Sequence, residues 1–328
     1  MPFSHFTLLV EDLEALAAAL PETVRLPALE YVLARGKRGR RAAVSANHLR
    51  FKLFALEPDE ALPVAALTRV ARADAGVDES YWLRADAVSL RADMTRVFVV
   101  SSGFLDYTAE ERSEIDCLVR GVLQAEGFGV PQDETGPWCF SVPRPPAFDF
   151  TPLHDSLGVD MAEVLPSGPD AADWKRLLTD VQVELHQSEV NRARRERGAA
   201  EVNGIWLWGG GSAPLSVPQR FGAVAGDDPV SRGLALISGS PVYAQADDLA
   251  GAENVLIDWA MQSRDARTEA EALERRVDSL LSATGAGRSR LTLLSGSGAA
   301  WTIDRLSRLK IWASLRPLAR ALKAETGS

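Results

Sequence analysis

Short apolar runs separated by stretches of helical periodicity recur along this chain, and that alternation constrains its fold more than any other feature. Phe6-Thr7-Leu8-Leu9-Val10 reads as a strand, and Glu11 to Leu20 then repeats leucine and alanine at helical spacing until Pro21. Leu26 to Ala34 reads as a second helix, stopped by Gly36. Further on, strand-like runs at Ile205–Trp208, Leu234–Ile237, Asn254–Trp259 and Leu291–Leu294 alternate with helical stretches, notably Thr268 to Ser282. A strand that is apolar on both faces needs cover on both, and the intervening helices supply it. The expected class is α/β, with a mostly parallel sheet.

From Tyr81 the pattern changes. Tyr81 to Leu90 and Thr95 to Val100 flank a polar turn at Arg91-Ala92-Asp93-Met94, which predicts a hairpin. Thr108-Ala109-Glu110-Glu111 has the form of a capping box, and Ile115, Leu118, Val119 and Val122 make the buried stripe of the helix it starts. Trp138 to Val142 reads as another strand, closed by Pro143-Arg144-Pro145-Pro146, and Pro166 to Pro169 is a second punctuation. Trp174, Leu177, Leu178, Val181 and Leu185 then predict a helix that runs through Arg197 to Gly198. The expected organisation is a sheet core built from residues 1–78 and 170–328, with an α+β unit inserted over 79–169.

The chain has 328 residues, 46% of them hydrophobic, enough for a substantial core. A formal net charge of −9 disfavours nucleic acid and anionic membranes as general partners. The local exception is the basic run Arg35, Lys37, Arg38, Arg40 and Arg41, which lacks interleaved aromatics and reads as a solvated loop rather than a nucleic-acid contact. Cys117 and Cys139 are too few for a disulfide scaffold and lack zinc-ligand spacing with histidines, so reduced cytoplasmic thiols are expected. No stretch reaches the ~18 apolar residues of a membrane span. The eight tryptophans are read as core and interface material.

Several residues suit ligand binding and an ordinary structural role alike. His154 beside Asp155 suits an imidazole oriented by its carboxylate next to a ligand, and equally a loop pair after a proline. Arg84, on an alternating strand, suits a phosphate fork or an outward-facing position. Asn191 and Arg194 lie one helical turn apart, as a two-pronged ligand contact or a solvated helix end would have them. Gly209-Gly210-Gly211 after a strand would expose backbone N–H groups at the carboxyl edge of a sheet, or allow a close crossing of chains.

Taken together, Asn191, Arg194, Gly198, Asn203 and Ile205-Trp206-Leu207-Trp208-Gly209-Gly210-Gly211 resemble the archaeal-type cofactor-independent phosphoglycerate mutases of the alkaline phosphatase superfamily. Leu83 to Leu90, Thr151-Pro152-Leu153-His154-Asp155, Leu165 to Gly168 and Asp228 to Leu234 follow in that family's order, and the last segment adds Arg232. Tyr81 to Asp86 and Trp206 to Gly211 resemble still more closely a proteobacterial group labelled regulatory proteins of the RpfE type. The resemblance implies an alkaline-phosphatase-like sheet with an inserted α+β unit. It also implies a site for a phosphorylated or carboxylated small molecule formed by Arg84, His154, Asp155, Asn191, Arg194, Asn203, Gly209, Gly210, Gly211 and Arg232.

The family, by the same resemblance, holds two metal ions with aspartates and histidines and uses a Ser or Thr nucleophile. This chain has four histidines, and in Ala260-Met261-Gln262-Ser263-Arg264-Asp265-Ala266-Arg267 an arginine falls where one family histidine would stand, while Ser295-Gly296-Ser297-Gly298 replaces an Asp-His pair. Asp12, Asp228 and Asp258 are expected to be too scattered, or too few in nitrogen partners, to hold two metals, and Ser45 lacks the neighbours of a family nucleophile. No cofactor and no catalytic residue are therefore assigned. The leading expectation is a non-catalytic or regulatory relative with a ligand pocket, and replacement of Arg194 by Ala should weaken ligand binding while leaving folding nearly untouched. The rivals are a working phosphotransfer enzyme and a protein-interaction module whose partner the sequence does not name.

Overall fold

The computed structural model describes all residues except 1–4, 42–44, 58–61, 74–75, 103–106, 132–136, 169, 245–251, 262, 264, 285–288, 311–312 and 327–328. In chain order the elements are β1 (His5–Val10), α1 (Leu13–Ala19), α2 (Pro27–Arg35), β2 (Lys37–Arg40), α3 (Ala46–Leu53), α4 (Val64–Ala73), β3 (Tyr81–Asp93), β4 (Arg96–Ser102), α5 (Ala109–Ala125) and β5 (Trp138–Val142). Then come α6 (Leu153–Ser156), α7 (Met161–Val164), α8 (Ala171–Gln187), α9 (Glu189–Glu196), β6 (Gly204–Gly211), β7 (Ala223–Ala225) and α10 (Pro229–Ser238). The last are β8 (Val242–Tyr243), β9 (Val255–Trp259), α11 (Ala266–Ala283), β10 (Arg290–Ser295), β11 (Ala299–Ile303) and α12 (Leu318–Thr326). They divide into two compact units, Met1–Pro58 with Ser216–Ser328, and Asp59–Leu215.

The first unit carries the α/β fold with a mostly parallel sheet. Its seven strands run in the order β2-β11-β10-β1-β9-β7-β8. The β1 strand lies parallel between β10 and β9, and β7 is parallel to both β9 and β8, whereas β11 and β2 add antiparallel at one edge. Leu8, Val10, Ile257, Leu291, Leu293 and Trp301 share one core with Leu13, Leu29, Leu273 and Leu322 of four helices. Their strand neighbours Leu9, Leu256 and Leu294 point the other way and are buried as well, as a sheet covered on both faces requires.

The second unit is antiparallel. Its long central strand β3 pairs with β4 and β5, and along Trp82 to Val88 with β6. The α5 helix begins with the expected capping box, Thr108 accepting from Glu111 N and Glu111 reaching back to Thr108 N. Leu83, Phe140 and Leu207 of the sheet pack with Ile115 and Val119 of α5 and Leu177 and Val181 of α8.

Four expectations change. The inserted unit is wider than 79–169, because β6 hydrogen-bonds to β3 and α4 packs on both, which draws α4, α8, α9 and β6 into it. Ile205–Trp208 is therefore a strand of the antiparallel sheet. Leu234–Ile237 belongs to the α10 helix, started by the Asp228 cap and Pro229 in its first turn. The helix expected to run from Trp174 to Gly198 breaks at Ser188, whose hydroxyl accepts from Asn191 N and starts α9. The basic run is not a loop: Lys37 to Arg40 form β2, with every residue exposed.

Candidate functional site

Three neighbouring parallel strands end together in the first unit, and each delivers a carboxylate. Glu11 follows β1; Asp258 lies on β9 opposite Leu9; Asp228 follows β7 and caps α10. The chain between β7 and that cap passes so close to β9 that a Cβ at Gly226 would come within 2.1 Å of Asp258 O, and Gly226 sits at φ +124°. The carboxyl ends of parallel strands are where α/β proteins bind ligands. Here the space among the carboxylates belongs to Arg50.

Arg50 lies on the stripe of α3 that also buries Ala46, Leu49 and Leu53, and its side chain is 3% exposed. Its Nε donates to Asp258 Oδ2 at 2.8 Å and lies 3.0 Å from Asp228 Oδ1. Its Nη2 donates to Asp258 Oδ1 at 3.1 Å and lies 2.8 Å from Glu11 Oε2, while Nη1 donates to Asn47 Oδ1 at 2.9 Å. The Ser231 hydroxyl donates to Asp258 Oδ2, and Ser231 N to Asp228 Oδ1 at 2.9 Å. Burial opposes the Arg50 charge, but Asp228, Asp258 and Glu11 together outweigh it and hold its pKa well above the ordinary value.

One guanidinium against three carboxylates leaves the cluster anionic. Although 16% of the Asp228 side chain remains exposed, burial pushes its pKa up to about 6; Asp258 and Glu11 push the same way, and Arg50 and the Ser231 amide oppose them. A carboxyl that binds its proton more tightly when folded takes stability away as it ionises. The Asp228 contribution is thus fully favourable below about pH 4 and declines as the pH rises to about 6. Asp228→Asn keeps a capping side chain and removes the ionisation. Urea midpoints measured across that range should fall less steeply with rising pH for the variant than for the wild type, and parallel profiles would contradict the assignment.

The two-metal site that the resemblance implies does not fit these residues. The carboxylate oxygens that would bind cations already accept from or face Arg50, and no imidazole belongs to the cluster. Among the described residues, no group of three His, Cys, Asp or Glu side chains is placed to hold a metal ion. Of the two alternatives only the scatter is corrected: Asp228 and Asp258 converge, joined by Glu11 rather than Asp12, which stands ahead of α1. Ser45 caps α3, its Oγ 2.9 Å from His48 Nδ1.

The other sequence-selected residues have internal partners. Arg84 forks onto Asp86 at 2.7 and 2.9 Å and lies over the Trp208 ring. Arg194, 2% exposed, donates to Glu111 Oε2 at 2.8 Å and Ala200 O at 2.7 Å. Each of these arginines is thus paired with a carboxylate. Asn191 donates to Leu185 O and Val202 O and accepts from Val202 N, tying α9 to the chain that enters β6. Asn203 does the same for Leu90 of β3. His154 and Asp155 are exposed on α6, 3.4 Å apart. Gly209, Gly210 and Gly211 form the end of β6 in the antiparallel sheet, where added Cβ atoms would strike Val64, Tyr81 and Pro63, so close packing explains them. Arg232, alone of the set in the first unit, donates to Gly226 O at 3.3 Å.

Arg50 and Ser231 were missed. The signal for Arg50 was present: an arginine on the apolar stripe of a short helix must find buried counter-charges.

No known protein-family model matches the chain. Over 99 residues, 29% of this chain and 25% of the relative, it is 33% identical to the 2,3-bisphosphoglycerate-independent phosphoglycerate mutase of Methanosarcina barkeri. Over 76 residues, 23% of this chain and 19% of the relative, it is 40% identical to the enzyme of that name from Methanothrix thermoacetophila. The chain thus matches about a quarter or less of the length of these curated relatives. A solved protein from Pyrococcus horikoshii superposes over 92% of this chain and 87% of its own with a TM-score of 0.54 at 12% identity, which shows a shared fold. The chain is an α/β protein similar, over part of its length, to cofactor-independent phosphoglycerate mutases.

Proposed function

We propose that the chain is a non-catalytic or regulatory relative of the cofactor-independent phosphoglycerate mutases. One observation supports this above others: the Arg50 guanidinium fills the carboxylate cluster at the strand ends, with its donors spent on Glu11, Asp228, Asp258 and Asn47. A guanidinium fixed to the chain supplies charge but has no open coordination position with which to polarise a phosphoryl oxygen. The anionic cluster also repels an incoming phosphate. At the finer level we propose kinship with the proteobacterial RpfE-type regulatory group, supported by Tyr81 to Asp86 and Trp206 to Gly211. A cytoplasmic location accords with the free thiols of Cys117 and Cys139, and no helix among the described residues is long and apolar enough to cross a membrane.

A phosphorylated or carboxylated ligand draws no support from Arg84 or Arg194, whose guanidinium groups already hold carboxylates. The test is a phosphoglycerate interconversion assay with manganese added, beside elemental analysis of protein purified without chelator. The expected result is no turnover above the buffer blank and no stoichiometric metal. Manganese-dependent turnover would overturn the proposal.

A further inference from the structure

The edge of the first unit's sheet carries a concentration of positive charge that the cluster around Arg50 does not use. Between Glu30 and Glu57 the sequence has no acidic residue, in a chain whose formal net charge is −9. Lys37, Arg38 and Arg40 of β2 are exposed, and so is Arg41 directly after it. Among the described residues β2 is the outermost strand, paired only with β11.

The register distributes these charges. Arg38 pairs opposite Trp301 and Arg40 opposite Ala299, so both project on the face of Trp301; Lys37, opposite Thr302, and Arg41 project on the other. Gly39 lies between the last two, and a side chain there would meet nothing within 4 Å. The Arg41 amide donates inward to Gly298 O at 2.8 Å. Antiparallel alternation therefore turns the N–H and C=O of Arg40 toward the outer side of the strand. The field on the second face is positive enough to act on His5: burial lowers its pKa, and Arg290 and Arg41 lower it further. Asp304, which feels Arg290, is occupied by its bonds to Leu306 N and to Ser307.

We propose that β2 is a docking edge for an extended acidic segment of a partner protein, which adds to the sheet as a further strand. Backbone bonds to the outer side of β2 supply the pairing, and the alternating side chains of the added strand meet cations on both faces. A segment with glutamate or aspartate at successive positions satisfies both. A second copy of this chain does not fit, since β2 against β2 would set cation opposite cation. Nucleic acid lacks the backbone donors and acceptors that an open strand selects, and no aromatic side chain stands among the cations of β2 for bases to stack on. This proposal uses none of the residues around Arg50 and stands or falls independently of them.

The test is fluorescence anisotropy of the full chain with a labelled peptide of alternating glutamate and threonine. Three comparisons accompany it: the same peptide N-methylated at alternate amides, a single-stranded oligonucleotide of similar charge, and the double variant Lys37→Glu, Arg40→Glu. The peptide should bind saturably, and both N-methylation and the double variant should weaken it about tenfold or more. No saturable binding by the peptide would overturn the proposal. Equal binding of the N-methylated peptide would overturn it as mere charge attraction, a result read on the wild-type chain alone. Binding of the oligonucleotide as tight as the peptide would overturn it in favour of a nucleic-acid surface.

Discussion

Replacement of Arg50 by Met is expected to lower folding stability by about 3–5 kcal/mol at neutral pH, the loss typical of removing one partner from a buried ion pair. Methionine fills much of the space, so packing is not the main loss. Asp258, 2% exposed, keeps the Ser231 hydroxyl, and Asp228 loses the guanidinium that opposes its burial. Asp228 should then hold its proton to higher pH. The gap between variant and wild type should accordingly narrow as the pH falls toward about 4, where protonation removes the uncompensated charge. A second change, Asp258→Asn, should recover part of the loss at neutral pH. Urea denaturation of the three proteins at two pH values is sufficient, and coincident midpoints for Arg50→Met and wild type at neutral pH would refute the role assigned to Arg50.

Replacement of Arg194 by Ala should cost about 3 kcal/mol, toward the lower end of the range for a broken buried pair. That reverses the expectation drawn from the sequence, which put Arg194 on a pocket wall. The buried guanidinium joins α9 to Glu111 in the first turn of α5 and to Ala200 O. Glu111 keeps the amide of Thr108 and a contact of 2.6 Å with Arg197, which moderates the loss. Arg197 is itself 44% exposed, so Arg197→Ala should cost no more than about 1 kcal/mol, as surface pairs do. The contrast between two arginines on one glutamate is the informative measurement, and equal losses would contradict the burial argument.

Local signals were legible and distant ones were not. The capping box of α5 was readable because its partners stand three positions apart, and the hairpin of β3 and β4 because its turn chemistry is contiguous. Leu234 to Ile237 misled because a short apolar run fits a strand and a buried helix alike; Asp228-Pro229, a cap followed by a proline, carried the correction. The place of β6 could not be read from Ile205 to Trp208, since its partner β3 is set by the packing of α4 and α8 around both. Arg50 is the sharpest case. Its helix was within reach of pattern reasoning, but its counter-charges come from positions 11, 228 and 258, which meet only once the parallel strands are assembled.

The strand order has a consequence for synthesis on the ribosome. The β1 strand is made before the second unit, yet both its neighbours, β9 and β10, are made after the whole of it, and Phe6 pairs with Val255 and Leu291. At ordinary ribosomal elongation rates the interval from Phe6 to Leu291 is roughly 15 to 60 seconds. Asp59–Leu215, by contrast, is contiguous and can close its own sheet in the meantime. The emerging chain must therefore carry an apolar strand without its ladder partners throughout that interval, which makes Phe6 to Val10 a segment in need of shielding in the cell.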